Sequence, residues 1–257
     1  MTSQVAPAIR MRDVAVSRGG RTIWSGATMD VPQGSFTAVI GPNGAGKSTT
    51  AALLLGTLAP SNGTLEVLGE KPHKGNPKIG FVPQNHTLAQ AGTISCRDVV
   101  GLGVVGTRWG VGIRSKNVRK QVAEALEAVD ATKFADARFG NISGGQQQRV
   151  SIAQALITNP EMLVLDEPLS GLDLHGQVEI VELVHKINHD LGVTVLFVTH
   201  DLNPLLAHID SIYYIYDGVA HYGSRDDVVT AEMLTKMYGT PVQVTRTDDG
   251  CIYTRTD

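Results

Sequence analysis

Short apolar runs separated by polar loops dominate the chain. Phe36-Thr-Ala-Val-Ile40, Met162-Leu-Val-Leu165 and Val193-Thr-Val-Leu-Phe-Val198 are continuous and rich in β-branched residues. Runs of that kind predict parallel strands covered on both faces. Phe36–Ile40 leads into a glycine-rich loop and then Thr50–Leu55, which reads as a helix. Met162–Leu165 runs into Asp166 and Glu167, and Val193–Val198 runs into Thr199 and His200. Polar groups at the carboxyl ends of parallel strands are where open α/β sheets place ligands.

Two stretches have other periods. Residues 1–35 alternate apolar and polar positions (Val14, Val16, then Ala27, Met29, Val31) around Gly19-Gly20 and Pro32-Gln-Gly34, which predicts an antiparallel β layer. Residues from about 88 to 160 read as mostly helical. Within Lys116–Asp130, Val118, Val122, Ala125, Leu126 and Val129 fall at helical spacing. The glycine-rich stretch Gly101–Gly112, with Trp109, reads as a loop. The expectation is one nucleotide-binding domain over 1–257. Its core and β layer occupy about 1–87 and 161–257, and a helical subdomain is inserted at about 88–160.

Composition narrows the classes. Hydrophobic residues are 42% and charged residues 18%, which suits a globular core and excludes a disordered chain. Lys plus Arg is 22 against 25 Asp plus Glu, a net charge of −3, so no nucleic-acid partner is expected. Two cysteines, Cys96 and Cys251, offer neither a disulfide framework nor paired metal-ligand spacing. Met1–Arg12 has no apolar core long enough for a signal peptide, and no run reaches the roughly 20 residues of a spanning helix.

The candidate chemistry lies in three motifs. Gly41, Pro42, Asn43, Gly44, Ala45, Gly46, Lys47 and Ser48, followed by Thr49, fit G-x-x-x-x-G-K-[ST] in full. The glycines let backbone N–H groups turn inward around phosphate oxygens, Lys47 reaches the β- and γ-phosphates, and the Ser48 hydroxyl can ligate Mg²⁺. Asp166 and Glu167 end a strand: Asp166 is placed to hold the Mg²⁺ hydration shell and Glu167 to polarise an attacking water. An acidic pair at a strand end is also a common loop or helix start. The third motif is Ile142, Ser143, Gly144, Gly145, Gln146, Gln147, Gln148 and Arg149. It reads as a second anion-binding helix N-terminus or, with equal economy, as a serine helix cap.

The set resembles the nucleotide-binding subunits of ATP-binding cassette (ABC) transporters. The likeness rests on the phosphate loop, Gln84 of Phe81-Val-Pro-Gln84, the Ser143–Gln146 signature, Asp166-Glu167, Ser170-Gly-Leu-Asp173 and His200, in that order. It implies an α/β phosphate-loop fold with a mainly parallel core sheet, an antiparallel β subdomain and an inserted α-helical subdomain. It also implies ATP with Mg²⁺, and a head-to-tail dimer with ATP between one phosphate loop and the partner's signature. In such a dimer Ser143 and Gly145 touch the γ-phosphate held by the partner's Lys47. Gln84 senses Mg²⁺ and the transport subunit, Asp173 lines the seam, and His200 holds the γ-phosphate and the water.

Three positions depart from the family pattern. Ile142 stands where Leu is usual, and Arg18 stands where an aromatic stacks on adenine. A guanidinium plane can also stack on a base, and a solvated turn residue explains Arg18 equally. Gln154 stands where Arg is common, with no functional reading. His185 and His189, with Glu182, have a spacing compatible with a metal, and an amphipathic helix with Val181, Val184 and Ile187 inward explains it too.

One cassette and no spanning segment resemble a subunit serving separate transmembrane permeases, at the cytoplasmic face of the membrane. The stretch after His200 is too short for the added regulatory β-domain of several importers. Asp201–Pro204, Val228–Leu234, Met237–Val242 and Gly75–Gln84 resemble bacterial zinc and manganese uptake cassettes, which act with an extracellular metal-binding protein. Iron-siderophore or heme importers share much of this framework, and an exporter or a non-transport ABC ATPase would share the ATPase chemistry. The permease groove is expected near Gln84, His86, Leu88 and Gly101–Trp109.

Overall fold

The structure, a computed structural model, describes residues 6–84, 94–105, 115–246 and 252–256. In chain order it begins with β1 (Ile9–Arg18), β2 (Arg21–Val31), β3 (Phe36–Ile40), α1 (Lys47–Leu54), β4 (Asn62–Val67) and β5 (Ile79–Val82). Next come α2 (Cys96–Val105), α3 (Lys116–Ala128), α4 (Gly144–Leu156), β6 (Met162–Asp166) and α5 (Leu174–Leu191). The chain ends in β7 (Thr194–Val198), β8 (Ser211–Tyr216), β9 (Val219–Ser224), α6 (Arg225–Val228), α7 (Ala231–Tyr238), β10 (Val242–Arg246) and β11 (Ile252–Thr256). Two compact units result, Met1–Lys74 with Thr194–Asp257, and Gly75–Val193.

In the first unit the alternating N-terminal stretch forms the expected antiparallel layer, β1 pairing with both β2 and β4. Its buried positions are Ile9, Met11, Val14 and Val16 on β1 and Trp24, Ala27, Met29 and Val31 on β2, the period of a half-buried sheet. β3 lies between β7 and β8, parallel to both. Every residue of β3 and β7 is buried, as continuous apolar runs require. Asp210 ties the start of β3: Phe36 N–H donates to its carboxylate at 2.8 Å. The β10–β11 hairpin follows α7, and Val242 N–H donates to Thr235 Oγ1 at 3.0 Å.

The second unit pairs β5 with β6 in parallel and packs α2, α3, α4 and α5 together. It takes in more than the helical stretch at 88–160, because α4 packs on both β5 and α5. α3 buries Val118, Val122, Ala125 and Leu126, the spacing expected of it. α5 turns Val181, Val184 and Ile187 inward. The glycine-rich loop expected at Gly101–Gly112 is corrected over its first part: residues 101–105 are the last turn of α2. Glycines weaken a helix by about 1 kcal/mol each, yet here α2 packs so closely on α4 that a side chain at Gly103 has no room. Residues 106–112 lie outside the described residues. Among those described, no helix is long and apolar enough to cross a membrane.

Candidate functional site

In the first unit β3 ends at Ile40 and the phosphate loop bridges it to α1. Helices α3, α4, α5, α6 and α7 each have a side-chain cap, from Ser115, Ser143, Asp173, Ser224 and Thr230. α1 starts at Gly46, a residue that has no side chain with which to cap the helix. That is the arrangement an anion at the helix N-terminus needs. Lys47 is buried, and its ammonium donates to the carbonyls of Gly41 at 2.9 Å and Pro42 at 3.3 Å. The cation is thereby folded along the inside of its own loop.

His200 stands beside this loop because β7 does. Thr199 N–H donates to Val39 O at 3.0 Å, and Asp201 N–H donates to Thr199 Oγ1 at 3.1 Å. A cleft of about 220 Å³ is lined by Ile40, Gly41, Pro42, Asn43, His200 and Met237. Met237 comes from α7; the sequence marks it only as the start of the Met237–Val242 resemblance and not as a site residue. Arg18 ends β1 opposite Arg21, exposed on the hairpin turned by Gly19-Gly20.

The second unit carries the remaining motif residues. Asp166 is buried at the end of β6, and Glu167 takes a left-handed turn with φ of 49°. A left-handed backbone at a non-glycine residue is uncommon and clusters at functional sites. The chain turns through Ser170, whose N–H donates to Glu167 O at 3.1 Å, into Asp173, which caps α5 by accepting from Gly176 N–H at 2.9 Å. Ser143 caps α4 reciprocally: Gln146 N–H donates to Ser143 Oγ at 3.3 Å, and Ser143 N–H donates to Gln146 Oε1 at 3.0 Å. A Cβ on Gly144 would sit 3.3 Å from Leu172 Cδ2, so the signature start and the Ser170–Asp173 loop are neighbours. Arg149, at the motif's far end, donates to Val129 O at 3.1 Å and faces Glu179 Oε2 at 3.4 Å, joining α3, α4 and α5. Gln84 is exposed just past β5. His86 and Leu88 of the expected permease groove lie outside the described residues.

In the first unit Ser48 offers a hydroxyl, and in the second Asp166 offers a carboxylate; each is a hard oxygen donor of the kind that suits Mg²⁺. The histidine pair on α5 is different: His189 Nδ1 lies 3.1 Å from Asp190 Oδ1, and among the described residues no group of three or more His, Cys, Asp and Glu is gathered to hold a metal.

Residues 24–170 match the family model described as ABC transporter. The zinc uptake system ATP-binding protein ZurA of Listeria monocytogenes is 39% identical over 199 residues, covering 74% of this chain and 77% of that protein. The ferric enterobactin transport ATP-binding protein FepC of Escherichia coli is 32% identical over 250 residues, covering 93% and 89%. Among solved structures, an ABC transporter assigned to the metal-chelate type, facing inward, superposes with a TM-score of 0.83 at 27% identity, covering 96% of each chain. A dimeric ATP-binding cassette bound to ADP and Pi gives a TM-score of 0.70 at 28% identity, covering 84% of this chain and 98% of that one. The phosphate loop, the capped signature helix and these matches agree: the chain belongs to the ABC transporter family, and it is an ATPase.

Proposed function

We propose that the chain is the ATP-hydrolysing cassette of a membrane importer for zinc or manganese ions. The observation that carries the reading is the 39% identity to a zinc uptake cassette, joined to an intact phosphate loop. The cassette acts as a head-to-tail pair bound to transmembrane permease subunits at the cytoplasmic face of the membrane. An extracellular metal-binding protein delivers the ion, which this chain never touches.

The chemistry follows from the side chains. Loop and α1 N–H groups hold the phosphates, and Lys47 exchanges its two carbonyl partners for β- and γ-phosphate oxygens. Ser48, Asp166 and Gln84 are the residues that would hold Mg²⁺, which would neutralise phosphate charge. Glu167 takes the proton of the attacking water, and His200 orients that water and the γ-phosphate. Ser143, Gly144, Gly145 and Gln146 close on the partner's nucleotide, with Asp173 at the seam.

A ferric-siderophore importer is the second reading, favoured by the match to the enterobactin cassette over nearly the whole chain. Deleting the subunit and following uptake of labelled zinc, manganese and a ferric siderophore separates the two. Loss of zinc or manganese uptake alone supports the proposal, and loss of ferric-siderophore uptake alone overturns it.

A further inference from the structure

We propose that Trp24 and Tyr213 form a buried brace that holds Gly46 in the anion-binding conformation, making Trp24 a positioning residue for nucleotide binding. The inference rests on the phosphate loop being the ATP site and names what keeps that loop in shape.

Gly46 has φ of 102°, a conformation that side-chain-bearing residues rarely adopt. Glycine reaches it readily and leaves it as readily, so the residue does not hold itself there. Yet Gly46 starts α1 without help from a side-chain cap, and the direction of the first helical N–H groups depends on it. The restraint comes from β2. A Cβ built on Gly46 would lie 2.6 Å from Ile23 Cγ2, 2.8 Å from Trp24 Cδ1 and 3.1 Å from Trp24 Nε1. The indole edge therefore lies directly against the glycine.

Trp24 is itself fixed. It is fully buried, and its ring meets Tyr213 edge-on, with centroids 6.1 Å apart and planes at 75°. Burial pushes the Tyr213 phenol up, and among the described residues its hydroxyl has no hydrogen-bond partner, so Tyr213 also acts through its ring. Thr50 grips Gly46 from the helix side, its N–H donating to Gly46 O at 3.0 Å and its hydroxyl at 3.4 Å. Among the described residues the indole N–H has no acceptor, so Trp24 acts through its shape and not through a hydrogen bond. Rigid groups on both sides preorganise the loop, and preorganisation strengthens binding by reducing the ordering that the ligand must impose.

The test uses the full chain and two readouts. The chain has two tryptophans, so Trp109→Phe leaves Trp24 as the sole reporter. ATP should change its emission, and the change should vanish when Lys47→Ala is added. By calorimetry, Trp24→Leu should raise the Kd for ATP by about tenfold, while Trp24→Phe, which keeps a ring edge against Gly46, stays within about threefold. A tenfold loss with rescue by Phe supports the brace. Calorimetric ATP binding with unchanged Trp24 emission, or wild-type affinity in a folded Trp24→Leu, overturns the brace and leaves the ATP site standing. Absence of ATP binding in the unaltered chain overturns the nucleotide reading, and the brace with it.

Discussion

Gly103→Ala is a substitution whose sign the tertiary structure reverses. In an exposed helix, replacing Gly by Ala gains about 1 kcal/mol of helix propensity. Gly103 is not exposed in that sense, because α2 lies on α4 there. A Cβ at 103 would stand 2.5 Å from Gln154 O and 2.7 Å from Ile157 Cγ2. Ordinary carbon contacts need roughly 1 Å more. Ile157 can rotate, but the Gln154 oxygen is helical backbone, so α2 or α4 must move as a whole. Overpacking of that kind costs about 1–3 kcal/mol, and a backbone obstacle puts it toward the upper end. Subtracting the propensity gain leaves a net loss of about 1–2 kcal/mol. For a chain of this size the melting temperature should fall by roughly 3–6 °C, measured by circular dichroism. Ile157→Ala in the same chain should not rescue it, since the carbonyl contact persists. A melting temperature raised by Gly103→Ala would refute the close helix contact. The backbone carbonyl of Gln154 is the floor on which Gly103 rests, a contact that any residue at 154 would supply.

Other expectations are more local. Glu167→Gln should keep ATP affinity and lower turnover by about 10²–10⁴-fold, read by phosphate release, because shape is retained and the proton acceptor is lost. Ser143→Ala removes one arm of a reciprocal cap and should lower stability by about 1 kcal/mol in thermal unfolding. Ser143→Arg loses the same cap and should show a similar small loss in the melt, and in addition should block ATP-dependent dimerisation by gel filtration. The Arg12 guanidinium, donating to Asp30 at 2.7 Å, holds that carboxyl below the usual carboxylate range. Its contribution is therefore present above the ordinary carboxylate pKa of about 3.9 and is lost as pH falls through the lowered folded value. Unfolding curves of Asp30→Asn and wild type should differ at neutral pH and converge in acid.

Much of this protein was determined by contiguous sequence. β3, β6 and β7 follow from short runs that are apolar except for Thr37 and Thr194 and the closing Asp166, which suit a strand covered on both faces. The phosphate loop, the signature cap and the Asp166-Glu167 turn are equally legible, because backbone amides, caps and turns act over a few residues. Gly101 and Gly103 misled for the converse reason. Their intrinsic preference opposes a helix, and at Gly103 only the approach of α4, some fifty residues later, turns the missing side chain into an advantage. Met237 beside His200 and Trp24 beneath Gly46 belong to the same class. Each is an unexceptional apolar residue along the chain. What makes it matter is a neighbour far away in sequence, and close packing, which has no period and no local signature, is decided only when the strands and helices are brought together.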